Sequence, residues 1–332
     1  MSRLNTTPYS MLDLVPIVQG GSVADALRNT TRLAQHVEHL GFKRFWLAEH
    51  HNIPGVASSA TALLIGQVAE QTTTLRVGSG GIMLPNHAPL VVAEQFGTLA
   101  TLYPGRIDLG LGRAPGTDQL TARALHRDRQ AADDFPQQVA ELRAFLAPAS
   151  PGQKVMAVPG AGTEVPVWLL GSSLFSAQLA AQLGLPYAFA AHFAPASLLD
   201  ALAIYRDNFQ PSAVLDKPYA MVGIPLLAAE SDQHAQHLAT TAYQKFLGLV
   251  RGQPAPLAPP VESMEGLWSP QEEFSVRQML AAAIFGSAAS VREQLADLLE
   301  KTQADEIMLT TDCYRYADRA RSCEIVAALM RA

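Results

Sequence analysis

Apolar runs of five to ten residues alternate with longer stretches in which apolar positions recur at helical spacing. Residues 9–18 read as a first strand, stopped at the Gln19-Gly20-Gly21 breaker. Ser22 then caps a helix whose stripe is Val23, Leu27, Leu33, Val37 and Leu40, with Gly41 closing it. The rhythm repeats: strand 45–48, helix 60–71, strand 75–84, helix 89–102 with Pro89 at its first turn, and strand 105–112. Farther on, strands are expected at 165–170, 187–191, 219–228 and 306–310, and helices at 173–183, 196–209, 232–250, 291–301 and 317–330. Strand–helix alternation predicts parallel strands with helical crossovers. Eight strands favour closure into a (β/α)8 TIM barrel, with insertions, over an open sheet. Residues 114–131, 148–164 and the Pro-rich 252–271 interrupt the pattern, and long loops of that kind are usually functional or disordered. No second domain or repeat is visible, so residues 1–332 are expected to form a single domain.

Composition narrows the classes. The chain has 332 residues, 48% hydrophobic and 16% charged, which provides for a large core. A net charge of −6 without a Lys/Arg cluster argues against nucleic acid. Asp13 and Pro16 interrupt the apolar N-terminal stretch, and no run of about 18 apolar residues follows; neither a signal peptide nor a membrane span is expected. Two cysteines, Cys313 and Cys323, are too few for a disulfide framework or a zinc site. A cytoplasmic protein is the expectation.

In such a barrel the chemistry lies at the C-terminal ends of the strands. Glu49, His50 and His51 follow the second strand, Asn86 and His87 the third, Arg113 the fourth, Ser172 and Ser173 the fifth, and His192 the sixth. The histidines of three strands thus converge on one mouth, where each either fixes a loop or handles protons. A metal reading of Glu49-His50-His51 lacks ligand-spaced partners, because adjacent residues point apart. "GSSLFSAQLAAQLG" (171–184) is more specific: Ser172, Ser173 and Ser176 crowd the first turn of a helix, where free N–H groups and the dipole attract an anion. Arg113 on the neighbouring strand end adds a planar cation suited to phosphate. In "GRIDLGLG" (105–112), Asp108, Gly110 and Gly112 alternate with Ile107, Leu109 and Leu111, and a bare side facing inward leaves room for a broad planar group. Gly80 and Gly81 within "VGSGGIMLP" (77–85) repeat that theme.

WLAEHH (46–51), VGSGGIMLP with the following NHAP, GRIDLGLGR and GSSLFSAQLAAQLG stand in an order and spacing that resembles the bacterial luciferase-like flavin monooxygenases, closest to their single-chain LLM class branch. The resemblance covers nearly the whole chain. It implies a luciferase-like barrel holding FMN at the strand C-termini, with reduced flavin supplied by a separate NAD(P)H:flavin reductase. Reduced flavin and O2 would then give a flavin C4a-hydroperoxide that transfers one oxygen atom to a small organic substrate, an aldehyde in the luciferases. It places the flavin-linked histidine at His50, phosphate contacts at Arg113, Ser172, Ser173 and Ser176, and a non-proline cis peptide beneath the ring at Gly80-Gly81. His51, His87 and His192 are left as pocket residues, and a homodimer through helices 60–71 and 89–102 is expected. Luciferase α chains carry Glu-Ser where this chain has Ser172-Ser173, a departure that a largely backbone contact tolerates. The loops 114–131 and 252–271, the second a candidate lid, are not shared closely with luciferase and leave the substrate open. Two alternatives are a deazaflavin-dependent oxidoreductase on the same fold and a flavin-binding barrel without turnover.

Overall fold

The computed structural model describes residues 3–127 and 132–331. Its strands are β1 (Tyr9–Asp13), β2 (Arg44–Leu47), β3 (Arg76–Met83), β4 (Ile107–Gly112), β5 (Val167–Gly171), β6 (Tyr187–Ala190), β7 (Ala220–Ala229), β8 (Ile284–Ser287) and β9 (Glu306–Thr310). All their pairings are parallel. β1 to β7 follow one another around a barrel that β9 closes by pairing with both β7 and β1. This is the expected (β/α)8 barrel.

β8 is an addition to the expected set. β7 spans ten residues, twice the length of most of its neighbours. Its first half, from Met221 to Pro225, pairs with β9, and its second half, from Leu226 to Ala229, runs on past the barrel to pair with β8. Further helices also lie where none is expected: Arg3–Thr6, Gln119–Ala124, Phe135–Leu146 and Pro270–Met279. The first strand is shorter than predicted, because Asp13 ends it. Val15 has a left-handed backbone (φ 51°), its N–H donating 3.1 Å to the Asp13 carboxylate. Part of the 252–271 stretch is pinned rather than free: Leu257 exchanges backbone hydrogen bonds with Ile17 and Gln19, and Thr241 Oγ1 donates to Ala258 O. The last four residues of the 114–131 loop lie outside the described residues.

Helix Val23–His39 shows why the local predictions work. Ser22 Oγ accepts the Asp25 N–H and the Asp25 carboxylate accepts the Ser22 N–H, a reciprocal cap. Leu33, Ala34 and Val37 are buried against the barrel, whereas Val23 of the expected stripe is 51% exposed. The alternation in β4 holds as predicted: Ile107, Leu109 and Leu111 join the core between sheet and helices, and Asp108 points into the barrel.

Inside the barrel the side chains form layers that set the floor of the site. At the N-terminal end, Arg44 joins Asp108 (2.6 Å) and Glu306 (3.0 Å), and Arg76 closes on Asp108 (2.5 Å). Both carboxylates are fully buried, so these ions are stable only as a complete set. Above them Trp46 donates Nε1–H to Asp108 (3.2 Å) and meets Trp168 edge to face, centroids 5.2 Å apart. Leu12, Met221 and Met308 complete this apolar layer. Nothing larger than alanine follows on several strands, and the space above the tryptophans stays open.

Candidate active site

A cavity of about 270 Å3 opens at the C-terminal end of the strands, lined by Trp46, Gly80, Gly81, Arg113, Ser172 and His192 among others. Its width comes from small residues. Gly80, Gly81, Gly112, Gly171, Ala188, Ala190 and Gly223 all border it. Gly110 shows the packing reason, since a Cβ there would lie 2.2 Å from Ser79 O on the adjoining strand. The Gly80-Gly81 peptide is cis, as the resemblance implies.

One end of the cavity is cationic. The turn from β5 into helix Leu174–Leu183 is so tight that a Cβ on Gly171 would fall 2.1 Å from Ser176 Oγ. Ser173 is the N-cap, but no side chain caps the first turn, which leaves its N–H groups free to meet an anion. The Arg113 guanidinium stands beside that turn, its carbon 4.2 Å from the centroid of the Phe175 ring. No carboxylate among the described residues pairs with it. Ser176 differs from expectation. Its hydroxyl donates to Ser173 O (2.8 Å) and meets Tyr187 OH (3.2 Å), so the side chain builds the turn and only its backbone N–H is left for a ligand.

The four histidines fall into two pairs. His51 and His87 do not reach the cavity; both present Nε2–H to the same oxygen, Oε1 of Glu49, at 2.9 Å. His50 is half-buried, and its Nδ1 lies 3.4 Å from Gly116 O. His192 lines the cavity and its Nδ1 lies 3.5 Å from Gly223 O. Since carbonyls only accept, both imidazoles carry the proton on Nδ1 and present a bare Nε2. Burial lowers the pKa of each, that of His192 to about 4, and the Lys245 ammonium adds to both shifts. Both are therefore neutral bases at physiological pH. His50 itself is not among the residues that line the cavity.

Sequence reasoning passed over Lys245 and Asp312, which form a two-pronged ion pair (2.8 and 2.9 Å) close enough to His192 to act on it electrostatically. Asp312 follows β9 and was readable as a strand-end residue; Lys245 sits in the middle of a long helix and carried no signal. Phe193, 57% exposed on the rim and tilted against the His192 ring with centroids 4.4 Å apart, was missed as well.

The residues present fit a flavin: a broad slot walled by glycine and alanine, an apolar floor, and at one end a cation with no carboxylate partner among the described residues beside an uncapped helix N-terminus. The comparisons agree on the lineage. A sequence model of the luciferase-like monooxygenase family matches residues 11–306. The chain belongs to the luciferase-like monooxygenase family. It is 58% identical over 322 residues to the uncharacterized Bacillus subtilis protein YvbT, covering 97% of this chain and 96% of that one. A luciferase-like monooxygenase of Escherichia coli K12 is 53% identical over 321 residues, 96% of each chain. Among solved structures, apo-MsnO8 superposes with a TM-score of 0.88 at 33% identity, over 97% of this chain and 98% of that one. The same fold, at lower identity, is shared with the FMN complex of the oxygenating constituent of 3,6-diketocamphane monooxygenase (TM-score 0.73, 17%, covering 100% and 98%). An F420-dependent secondary alcohol dehydrogenase shares it too (0.71, 15%, covering 98% and 99%). No helix among the described residues is long and apolar enough to cross a membrane.

Proposed function

We propose that this luciferase-like monooxygenase binds FMN in the barrel-mouth cavity and, with reduced flavin delivered by a separate NAD(P)H:flavin reductase, uses O2 to oxygenate a small organic substrate. The observation that carries this reading is Arg113, without a carboxylate partner among the described residues, beside the uncapped first turn of helix Leu174–Leu183. A cation and free N–H groups at one end of an apolar slot suit a phosphomonoester on a flat, poorly charged body. Bound reduced flavin supplies the electrons that activate oxygen, and the protein supplies position and dryness.

Arg113 and the N–H groups from Leu174 to Ser176 hold the phosphate. Gly80, Gly81 and Gly112 leave room for the ring system. The Trp46–Trp168 layer closes the floor against water. His50 serves as the proton-handling group: its Nδ1 is committed to Gly116 O, so Nε2 takes a proton and returns it. His192 is the second base of the mouth. The reading includes a cytoplasmic homodimer joined through helices Thr61–Glu70 and Pro89–Leu102, supported by the exposure of Leu63 (77%) and Leu102 (63%).

The deazaflavin reading keeps the same barrel and is separated by experiment. Purified protein is given enzymatically reduced FMN, 18O-labelled O2 and a panel of aldehydes, ketones and thioethers. Substrate-dependent incorporation of one 18O atom supports the proposal. Hydride transfer with reduced F420 and no oxygen incorporation with FMN would overturn it.

A further inference from the structure

Glu49 follows β2 and is 1% exposed. Its Oε1 accepts His51 Nε2–H and His87 Nε2–H, each at 2.9 Å, and Asn86 Nδ2–H at 3.3 Å. Its Oε2 accepts the backbone N–H of Met83 at 3.0 Å. No arginine or lysine of the described residues touches this carboxylate. Ionised acceptors hold donors more strongly than neutral ones, so one charge fixes the end of β3, the turn after it and its own loop.

The consequence extends to both Arg113 and His50. Asn86, held by Glu49, donates also to Pro115 O (3.0 Å) and accepts Arg127 Nη1–H (3.2 Å). Arg127 in turn donates Nη2–H to the backbone oxygen of Arg113 (3.0 Å). On the other side, the His51 N–H donates to Gly116 O (3.2 Å) and Thr117 Oγ1–H to His51 O (2.9 Å). Gly116 (φ +65°) packs so closely on the Glu49 backbone that a Cβ would lie 2.8 Å from Glu49 O. The same Gly116 carbonyl is the partner of His50 Nδ1.

We infer that Glu49 is a positioning residue that fixes the 113–117 segment, and through it both places the Arg113 cation and selects the Nδ1-protonated form of His50. The inference goes beyond the proposed function and rests on it only for the identity of the ligand. Glu49 neither lines the cavity nor hydrogen-bonds the His50 ring. A merely local role would disturb His51 and His87 and nothing farther.

The test is NMR of the full chain with 15N-labelled histidine, without flavin, in wild type and in Glu49→Gln, with His50 assigned by its loss in His50→Gln. Wild type should show His50 as the Nδ1-protonated neutral tautomer at pH 7.5. In Glu49→Gln the His50 nitrogens should shift toward a tautomer mixture. FMN affinity should fall about tenfold in this variant while riboflavin affinity changes less than threefold. Unchanged His50 signals alongside shifted His51 and His87 signals would overturn the inference. Should Glu49→Gln not fold, Asn86→Ala keeps the carboxylate and cuts only its link to Pro115 and Arg127. A selective FMN loss there supports the inference, and unchanged FMN affinity with an unchanged His50 refutes it. The tautomer is read without flavin, so a failure of FMN to bind would count against the proposed function and leave this result standing.

Discussion

The Arg113 guanidinium lies over the Phe175 ring, 4.2 Å from its centroid, and Phe175 belongs to the helix turn that faces the same anion position. Among the described residues the cation is thus held by a neutral face rather than by a carboxylate, which keeps its charge available. Cation–π contacts of this kind contribute about 0.5–1 kcal/mol at partly exposed sites. Phe175→Leu should therefore weaken FMN about two- to fivefold and leave riboflavin unchanged. Fluorescence titration of both ligands checks this, and an equal loss for both would place Phe175 against the ring system instead.

His50→Ala should keep FMN affinity within about twofold and reduce coupled turnover by roughly 10²–10⁴, the usual worth of general acid–base help. His192→Ala removes a cavity-lining side chain and should change the substrate range or KM more than the proton step. Steady-state oxygenation with both variants separates the roles. Full turnover in His50→Ala would transfer the base to His192.

Stability should carry a signature of His192. In the unfolded chain its pKa is about 6.5, and in the folded protein burial lowers it to about 4. A histidine with a depressed folded pKa contributes stability that is present above pH 6.5 and is lost as pH falls toward 4, because only the unfolded chain takes up the proton. The limiting slope is about 1.4 kcal/mol per pH unit for one such group. Chemical denaturation between pH 7 and 4 should show a shallower decline in His192→Gln. Parallel curves would mean that the buried imidazole does not drive acid destabilisation.

The proposed homodimer predicts that the protein runs as two copies by light scattering at micromolar concentration. Leu63→Glu, placing a charge on the exposed face of helix Thr61–Glu70, should yield monomers with little change in Tm. A wild-type monomer at that concentration would contradict the assignment of this face.

Much of the fold was legible because the core obeys simple periods. β4 alternates bare and apolar positions, and helix Val23–His39 announces itself by a capping box and an apolar stripe. β8 was not legible: four residues after an alanine run pair only because the far half of β7 offers an edge beyond the barrel, which is tertiary information. Helix Phe135–Leu146 was legible in retrospect, with buried Phe135, Val139, Leu142 and Leu146 at helical spacing, but it follows an irregular stretch. In the site, the strand-end rule gathered Arg113, Ser172, Ser173 and His192 around one cavity. It could not say that His51 and His87 would turn away to share one oxygen of Glu49, or that Ser176 would turn to Tyr187, because side-chain direction is set by partners distant in sequence.

The central claim is that the cavity reads the phosphate of FMN through Arg113. Titration calorimetry of FMN and riboflavin against wild type and Arg113→Ala tests it most directly. Losing a hydrogen bond to a charged group costs about 1.5–3 kcal/mol, so FMN affinity should fall roughly 10- to 150-fold while riboflavin affinity stays the same. Equal affinities of wild type for FMN and riboflavin, or an equal loss for both in Arg113→Ala, would contradict it.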